Sequence, residues 1–396
     1  MKSVNAEKLL KKTEWLALVL AMHHCAMRFL QSSSLTVSMP SVYTKATFLS
    51  LALMGAFRFL LSCLKAFQSA GVTRKLVLRV LAVAVFGAVS AILELRYGYT
   101  FFLFLVVTAL CLTEVDVDRA VQAYAVCSGV MLASVMLCCL AGAIPNYTYL
   151  GSDRDTLLRS SYGIIYPTDF ASHLLFMLVF CWSGGKRKPI LPVLACCAAA
   201  LILSWQYANS YTATLCLSLL CVFVLYEAIE RKWLTGSHAV ARRVSGGVAQ
   251  VAFPVLGLVF CALTYLYGQG NSIAVQANQT LHSRLVLPWM SYQAHGIHPF
   301  GALIEQKGYG YGDIPTWIGG YQFLDSTYGL LLLRYGWVMT LLITLLWVWL
   351  TRRALKTGRR TLAFAMVIIA VHAFSEHHFP EIAYNLLLVV PLCAFP

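Results

Sequence analysis

Charge is what this sequence has least of. Asp, Glu, Lys and Arg make up 12% of the 396 residues, against roughly 25% in an ordinary soluble domain. With 59% hydrophobic residues and a mean hydropathy of +0.72, such a chain cannot hide its apolar surface in water. No collagen-like, heptad or solenoid period is present, which excludes fibrous and repeat architectures. The 13 cysteines have neither zinc-site nor disulfide-framework spacing. Most, including Cys111, Cys138, Cys139, Cys196, Cys197, Cys216, Cys221 and Cys261, lie inside apolar runs and act as small hydrophobes. No single basic face with interleaved aromatics accounts for the net charge of +14, so nucleic acid is not the expected partner. The apolar stretch after Lys12 is interrupted by His23, His24 and Arg28 and lacks a clean small-residue cleavage site. It is expected to be a first span and not a removable leader.

Long apolar runs are what the sequence has instead. A helix of roughly 20 apolar residues closes its own backbone hydrogen bonds across a hydrocarbon core. The sequence predicts an all-α polytopic membrane protein, one domain over 1–396, with about 12 transmembrane helices. The expected spans are 15–31, 46–67, 76–95, 99–112, 120–144, 165–182, 190–207, 211–229, 245–267, 328–350, 362–379 and 382–395. The fourth and the last are short. Alternating them gathers Lys2, Lys8, Lys11, Lys12, Lys186, Arg187, Lys188, Arg231, Lys232, Arg242, Arg243 and the basic run from Arg352 to Arg360 on one side. That side holds about 21 basic residues against about six opposite, so it is expected to be cytoplasmic, with both termini. The loops 145–163 and 268–326 then face outward. The second is too long and too rich in Trp, Tyr, Gly and His for a mere connection, and is expected to fold over the membrane surface with short helices of its own.

Arg96, Arg154, Arg159 and Arg284 stand on the outer side, where the orientation rule depletes basic residues. A guanidinium fork matches phosphate oxygens and stays charged, so these residues suit an anionic substrate; contact with lipid headgroups or with partners such as Asp153 and Asp155 is the plainer reading of any one of them. Aromatic faces in the long loop suit the C–H side of a sugar ring, or simply anchor the loop at the interface. Asp325 opens the span at 328–350 and allows two readings. It is a general base facing a wet cleft, or it caps the helix together with Ser326 and Thr327. Glu376, His377, His378 and Glu381 follow in HAFSEHHFPEIAYN, without the spacing of a zinc-protease helix, and are expected to line the outer cavity. Arg58, His173 and Arg334 fall inside apolar runs and should face the interior or water.

The order of these features resembles the bacterial O-antigen polymerase and O-antigen ligase superfamily, over roughly 159–385. Arg159, Gly163, Pro167, Asp169, Phe170 and Ala171 in RSSYGIIYPTDFA look like the family's Arg-Gly-Pro-Asn-Phe-Ala segment. NSYTATL at 209–215 is similar to its polar break, with Tyr211 where Arg is common. Arg284 and Trp289, then His298, Pro299, Phe300 and Gly301, resemble its Arg, Trp and Pro-x-Gly series. Asp325-Ser326, nine residues and Gly336 look like the ligase signature, with Asp in place of His.

The resemblance implies a metal-independent, cofactor-free, inverting glycosyltransferase in the bacterial cytoplasmic membrane, working at its outer face. The donor would be glycan on undecaprenyl diphosphate, and the acceptor a lipid-linked repeat unit, with a flippase and a chain-length regulator as companions. Asp325 would be the catalytic base, with Arg159, Arg284, Trp289, His298, Tyr328 and His378 contacting substrate. An acceptor hydroxyl must shed a proton, and the departing diphosphate needs cationic stabilisation. A ligase acting on a different acceptor is the nearest alternative. A lipid-linked oligosaccharide transporter is the alternative of another class, though no internal duplication is visible.

Overall fold

A backbone surrounded by lipid or by other apolar groups has to satisfy its own hydrogen bonds, so the apolar runs become helices. In a computed structural model, the protein is described over residues 5–35, 40–150, 158–185, 189–233, 239–306 and 323–395. The described residues form fifteen α-helices and one two-stranded hairpin, divided between two compact units.

The first unit comprises Met1–Tyr211 and Glu381–Pro396. Its helices are α1 (Ala6–Lys12), α2 (Glu14–Gln31), α3 (Ser41–Ala70), α4 (Arg74–Tyr97), α5 (Phe101–Cys111) and α6 (Val117–Leu140). The hairpin of β1 (Thr148–Leu150) and β2 (Leu158–Ser160) follows, then α7 (Pro167–Ser183) and α8 (Ile190–Ile202), which runs on as a π-helical turn over Leu203–Tyr207. Helices α3 and α5 cross closely at Gly55, where a Cβ would lie 2.8 Å from that of Leu110; small residues permit such approaches. Arg58, one turn on, is fully buried. Its Nη1 donates to the Leu10 carbonyl at 2.8 Å and to Thr13 Oγ1 at 2.7 Å. Its Nε and Nη2 donate to the Thr113 carbonyl at 3.1 and 2.7 Å. The Leu10 carbonyl lies in the last turn of α1 and the Thr113 carbonyl just past the C-cap of α5, so the buried cation supplies donors at two helix C-terminal ends. His173 is also interior: its Nε2 lies 2.8 Å from Ser32 Oγ, and its ring stacks on Tyr384 at 4.0 Å.

The second unit is Thr212–Pro380. It contains α9 (Tyr211–Trp233, which begins at the boundary), α10 (Ala239–Gly268), α11 (Ser272–Thr280), α12 (Val286–His295), α13 (Thr327–Gly329), α14 (Gly336–Lys356) and α15 (Arg360–His372). A π-helical stretch, Leu330–Tyr335, joins α13 to α14. Phe253, Trp347 and Phe379 fill the centre, with Phe379 ring centroids 4.7 Å from both others. The long loop carries two short helices, α11 and α12, which pack on α10.

Among the described residues, seven helices are long and apolar enough to cross a membrane: Ser41–Ala70, Arg74–Tyr97, Val117–Leu140, Ile190–Tyr207, Tyr211–Glu230, Ser245–Gly268 and Thr327–Lys356. They turn large side chains such as Leu53, Leu60, Leu95, Leu137 and Leu258 outward, as lipid-facing helices do. The remaining five expected spans come out differently. Helix α2 has 18 residues but carries Glu14 and Arg28, while α5, α7 and α15 have 11, 17 and 13. The segment 382–395 is not an α-helix; only Leu386–Leu388 form a 3-10 turn. It follows Pro380 and contains Pro391, which a helix interior does not accommodate. Its Ala394 amide bonds to the Val115 carbonyl at 2.7 Å, and Leu392 and Ala394 carbonyls accept from Glu114 and Val117. Leu386, Leu387, Val389 and Val390 are thereby core residues of the first unit.

Candidate functional site

Asn278, near the end of α11, sets the site up. Its buried side chain accepts through Oδ1 from the amides of Leu285 and Val286 at 2.9 and 3.2 Å. Its carbonyl accepts from Ser283 at 2.9 Å. The chain between folds into a tight turn in which His282 and Ser283 take φ of 52° and 67°. That left-handed geometry is unusual for residues with a Cβ, and the Asn278 bonds hold it in place. Arg284 projects from the turn.

The start of α13 is fixed against the turn that follows α15. Thr327 donates its amide to the Ala373 and Glu376 carbonyls at 3.0 and 3.2 Å, and its hydroxyl to Glu376 at 2.7 Å. These bonds bring Asp325 and Glu376 to the same guanidinium. Arg284 Nη1 donates to Asp325 Oδ2, and Nη2 lies 3.8 Å from Glu376 Oε1. Glu376 Oε2 is in turn 4.0 Å from Nδ1 of His378, whose ring stacks on His377 at 4.2 Å. All four charged or titratable groups are largely withdrawn from water: side-chain exposures are 21% for Arg284, 10% for Asp325, 6% for Glu376 and 0% for His378. Burial, and then the charge of Arg284, push the His378 imidazole down to about 3, so it is neutral at ordinary pH.

Asp325 itself is placed by an ion pair. The cap position of α13 belongs to Ser326, with no side-chain capping bond, and Asp325 is the ion-pair partner of Arg284.

Of the residues expected to act, the structure brings Arg284, Asp325 and His378 together. Glu376 belongs with them; the sequence placed it only in the cavity lining, because no local spacing ties it to Arg284. Arg159 is in the first unit, on β2 opposite Tyr149, with Nε donating to the Ala208 carbonyl at 2.9 Å. Trp289 packs between Tyr265 and Tyr292 and against Gly268, where any Cβ would collide with the indole. His298 donates from Nε2 to the His295 carbonyl at 2.6 Å. Tyr328 is a core residue among Phe253, Phe260 and Phe374, its hydroxyl donating to Ala370 at 3.0 Å. In these contacts Trp289, His298 and Tyr328 shape the framework. Arg154 and the middle of the long loop, 307–322, lie outside the described residues.

No protein-family model, no curated protein and no solved structure matches this chain. An arginine held between two buried carboxylates offers an anion receptor and a proton acceptor side by side. Glu376, His377 and His378 also set one ligand atom each within 4.8 Å of one another, a donor set that suits a divalent cation. Arg284, already beside Glu376, competes for that carboxylate.

Proposed function

We propose that the chain is a membrane-embedded, inverting glycosyltransferase of the O-antigen polymerase kind. It joins oligosaccharide repeat units carried on undecaprenyl diphosphate at the outer face of the bacterial cytoplasmic membrane, with both termini inside and 268–326 outside. The observation that supports this reading is the Arg284–Asp325–Glu376 cluster at the start of the apolar helix Thr327–Lys356, two of whose residues, Arg284 and Asp325, also carry the sequence resemblance.

In the proposed reaction the acceptor hydroxyl gives its proton to Asp325 as its oxygen forms a bond to the anomeric carbon of the donor. The bond from that carbon to the diphosphate breaks with its electron pair on the departing oxygen, whose charge Arg284 offsets. Arg159, in the first unit, is proposed as a phosphate contact in its own right. The test is a repeat-unit assay with purified protein. Wild type should give a ladder of lengths, Asp325→Asn a loss of roughly 10²-fold or more in rate, and Arg284→Lys or Arg159→Lys a substantial loss, because Lys lacks the fork. A single addition to a different acceptor would make the protein a ligase, and lipid-linked glycan movement without a new bond would make it a transporter.

A further inference from the structure

The position of Asp325 poses a problem for a base. The positive charge of a guanidinium favours the ionised form of a carboxylate paired with it, and here the engaged group is the one required to take a proton. The same guanidinium is the one required to receive the leaving diphosphate. Both demands are met if the two anions exchange.

We propose that Asp325 is an exchangeable partner of Arg284, displaced when the donor's diphosphate arrives, and that Glu376 is the positioning residue that keeps Arg284 in place during the exchange. The inference rests on the reading of the site as one that acts on a lipid diphosphate. Its geometric basis is the asymmetry between the two acids. Glu376 sits between Arg284 Nη2 at 3.8 Å and His378 Nδ1 at 4.0 Å, and its own carbonyl is tied to Thr327 by two hydrogen bonds. Asp325 lies ahead of α13 and is the acid hydrogen-bonded directly to the guanidinium, so it holds the position that a phosphate oxygen would have to take.

A diphosphate offers more negative charge and more acceptor oxygens than one carboxylate, and it fits the guanidinium fork. Once it is seated, Asp325 has lost its cation and gained an anionic neighbour, both of which strengthen its hold on a proton. Arg284 remains bridged to Glu376. The base is thus latched in the resting protein and released by the donor, which ties proton acceptance to the presence of a glycosyl group to transfer. Water meeting the empty site finds an occupied carboxylate.

The experiment measures binding of farnesyl diphosphate, a short isoprenyl diphosphate, to the full chain in detergent. Removing the internal competitor should help the ligand, so Asp325→Asn, inactive in transfer, should bind at least roughly tenfold tighter than wild type. Arg284→Gln should lose binding, and Glu376→Gln should weaken it while Glu376→Asp restores it. Equal or weaker binding by a folded Asp325→Asn overturns the exchange and leaves the glycosyltransferase reading standing. No binding by wild type or by Asp325→Asn removes the diphosphate reading and the exchange together. A second measurement needs no variant: carbodiimide labelling of Asp325 in wild type, read by peptide mass spectrometry, should rise several-fold on adding farnesyl diphosphate, with Glu376 labelled as before. An unchanged Asp325 overturns the proposal.

Discussion

Gly301 and Gly336 meet backbone to backbone: a Cβ built on Gly301 would lie 2.8 Å from the Gly336 nitrogen, and one on Gly336 would strike the backbone of residues 298–301. Their φ values are +72° and +87°. Trp337 and Val338 donate to the carbonyls of His298 and Pro299 at 3.2 and 3.1 Å, and Ala302 donates to Leu333 at 3.2 Å. The His298–Gly301 and Asp325–Gly336 motifs, separate in sequence, are therefore one device: the first supplies acceptors to the helix break that the second creates. Gly301→Ala and Gly336→Ala should each destabilise the protein by more than about 1 kcal/mol. Gly71→Ala is the control, since its φ is +66° but a Cβ there meets nothing within 4 Å. Thermal unfolding in detergent checks this, and equal losses at all three positions would remove the packing argument.

Asn278 is predicted to be as important to activity as a residue that touches substrate, without touching any. Asn278→Ala leaves the buried amide of Leu285 and the part-buried amide of Val286 without their acceptor, at about 1–3 kcal/mol, and releases the turn that presents Arg284. Transfer activity should fall with it, and farnesyl diphosphate should bind more weakly. An Asn278→Ala protein with full affinity would show that Arg284 is positioned by other contacts.

His378 gives the second unit a dependence on pH whose sign follows from its depressed value of about 3. An unfolded histidine takes up a proton near pH 6.5, whereas the folded one stays neutral. Between those values the unfolded state binds more protons, so stability is intact above about pH 6.5 and declines as pH falls toward 3, by at most about 1.4 kcal/mol per pH unit. Unfolding temperatures measured from pH 7 to pH 4 should drop, and His378→Gln should flatten part of that slope. A slope identical in the variant would assign the acid sensitivity to other groups.

Orientation is testable with single cysteines on a cysteine-free background. Gln269, an exposed residue before α11, should react with an impermeant reagent added outside intact cells when changed to Cys. Lys356, in the basic last turn of α14, should not. The reverse pattern would invert the topology and move the site to the other face. A cysteine at Gly310 would report on the loop in the same way, although that position lies outside the described residues.

The sequence alone determined the class of molecule. Apolar runs such as those at 46–67 and 245–267 are long enough that only helices satisfy their backbones in lipid, and both are helical in the structure. It also singled out Arg284 and Asp325, because charged groups at the ends of such runs are few. The run at 382–395 misled for a physical reason: hydropathy measures only aversion to water, and a segment can satisfy that aversion in a protein core as well as in lipid. Tertiary structure alone decided that Asp325 pairs with Arg284 and that Glu376 joins them. Those relationships span 41 and 92 residues of sequence, a separation at which no helical or strand period operates. They exist because the Asn278 turn and the Thr327 clamp deliver the three side chains to one place.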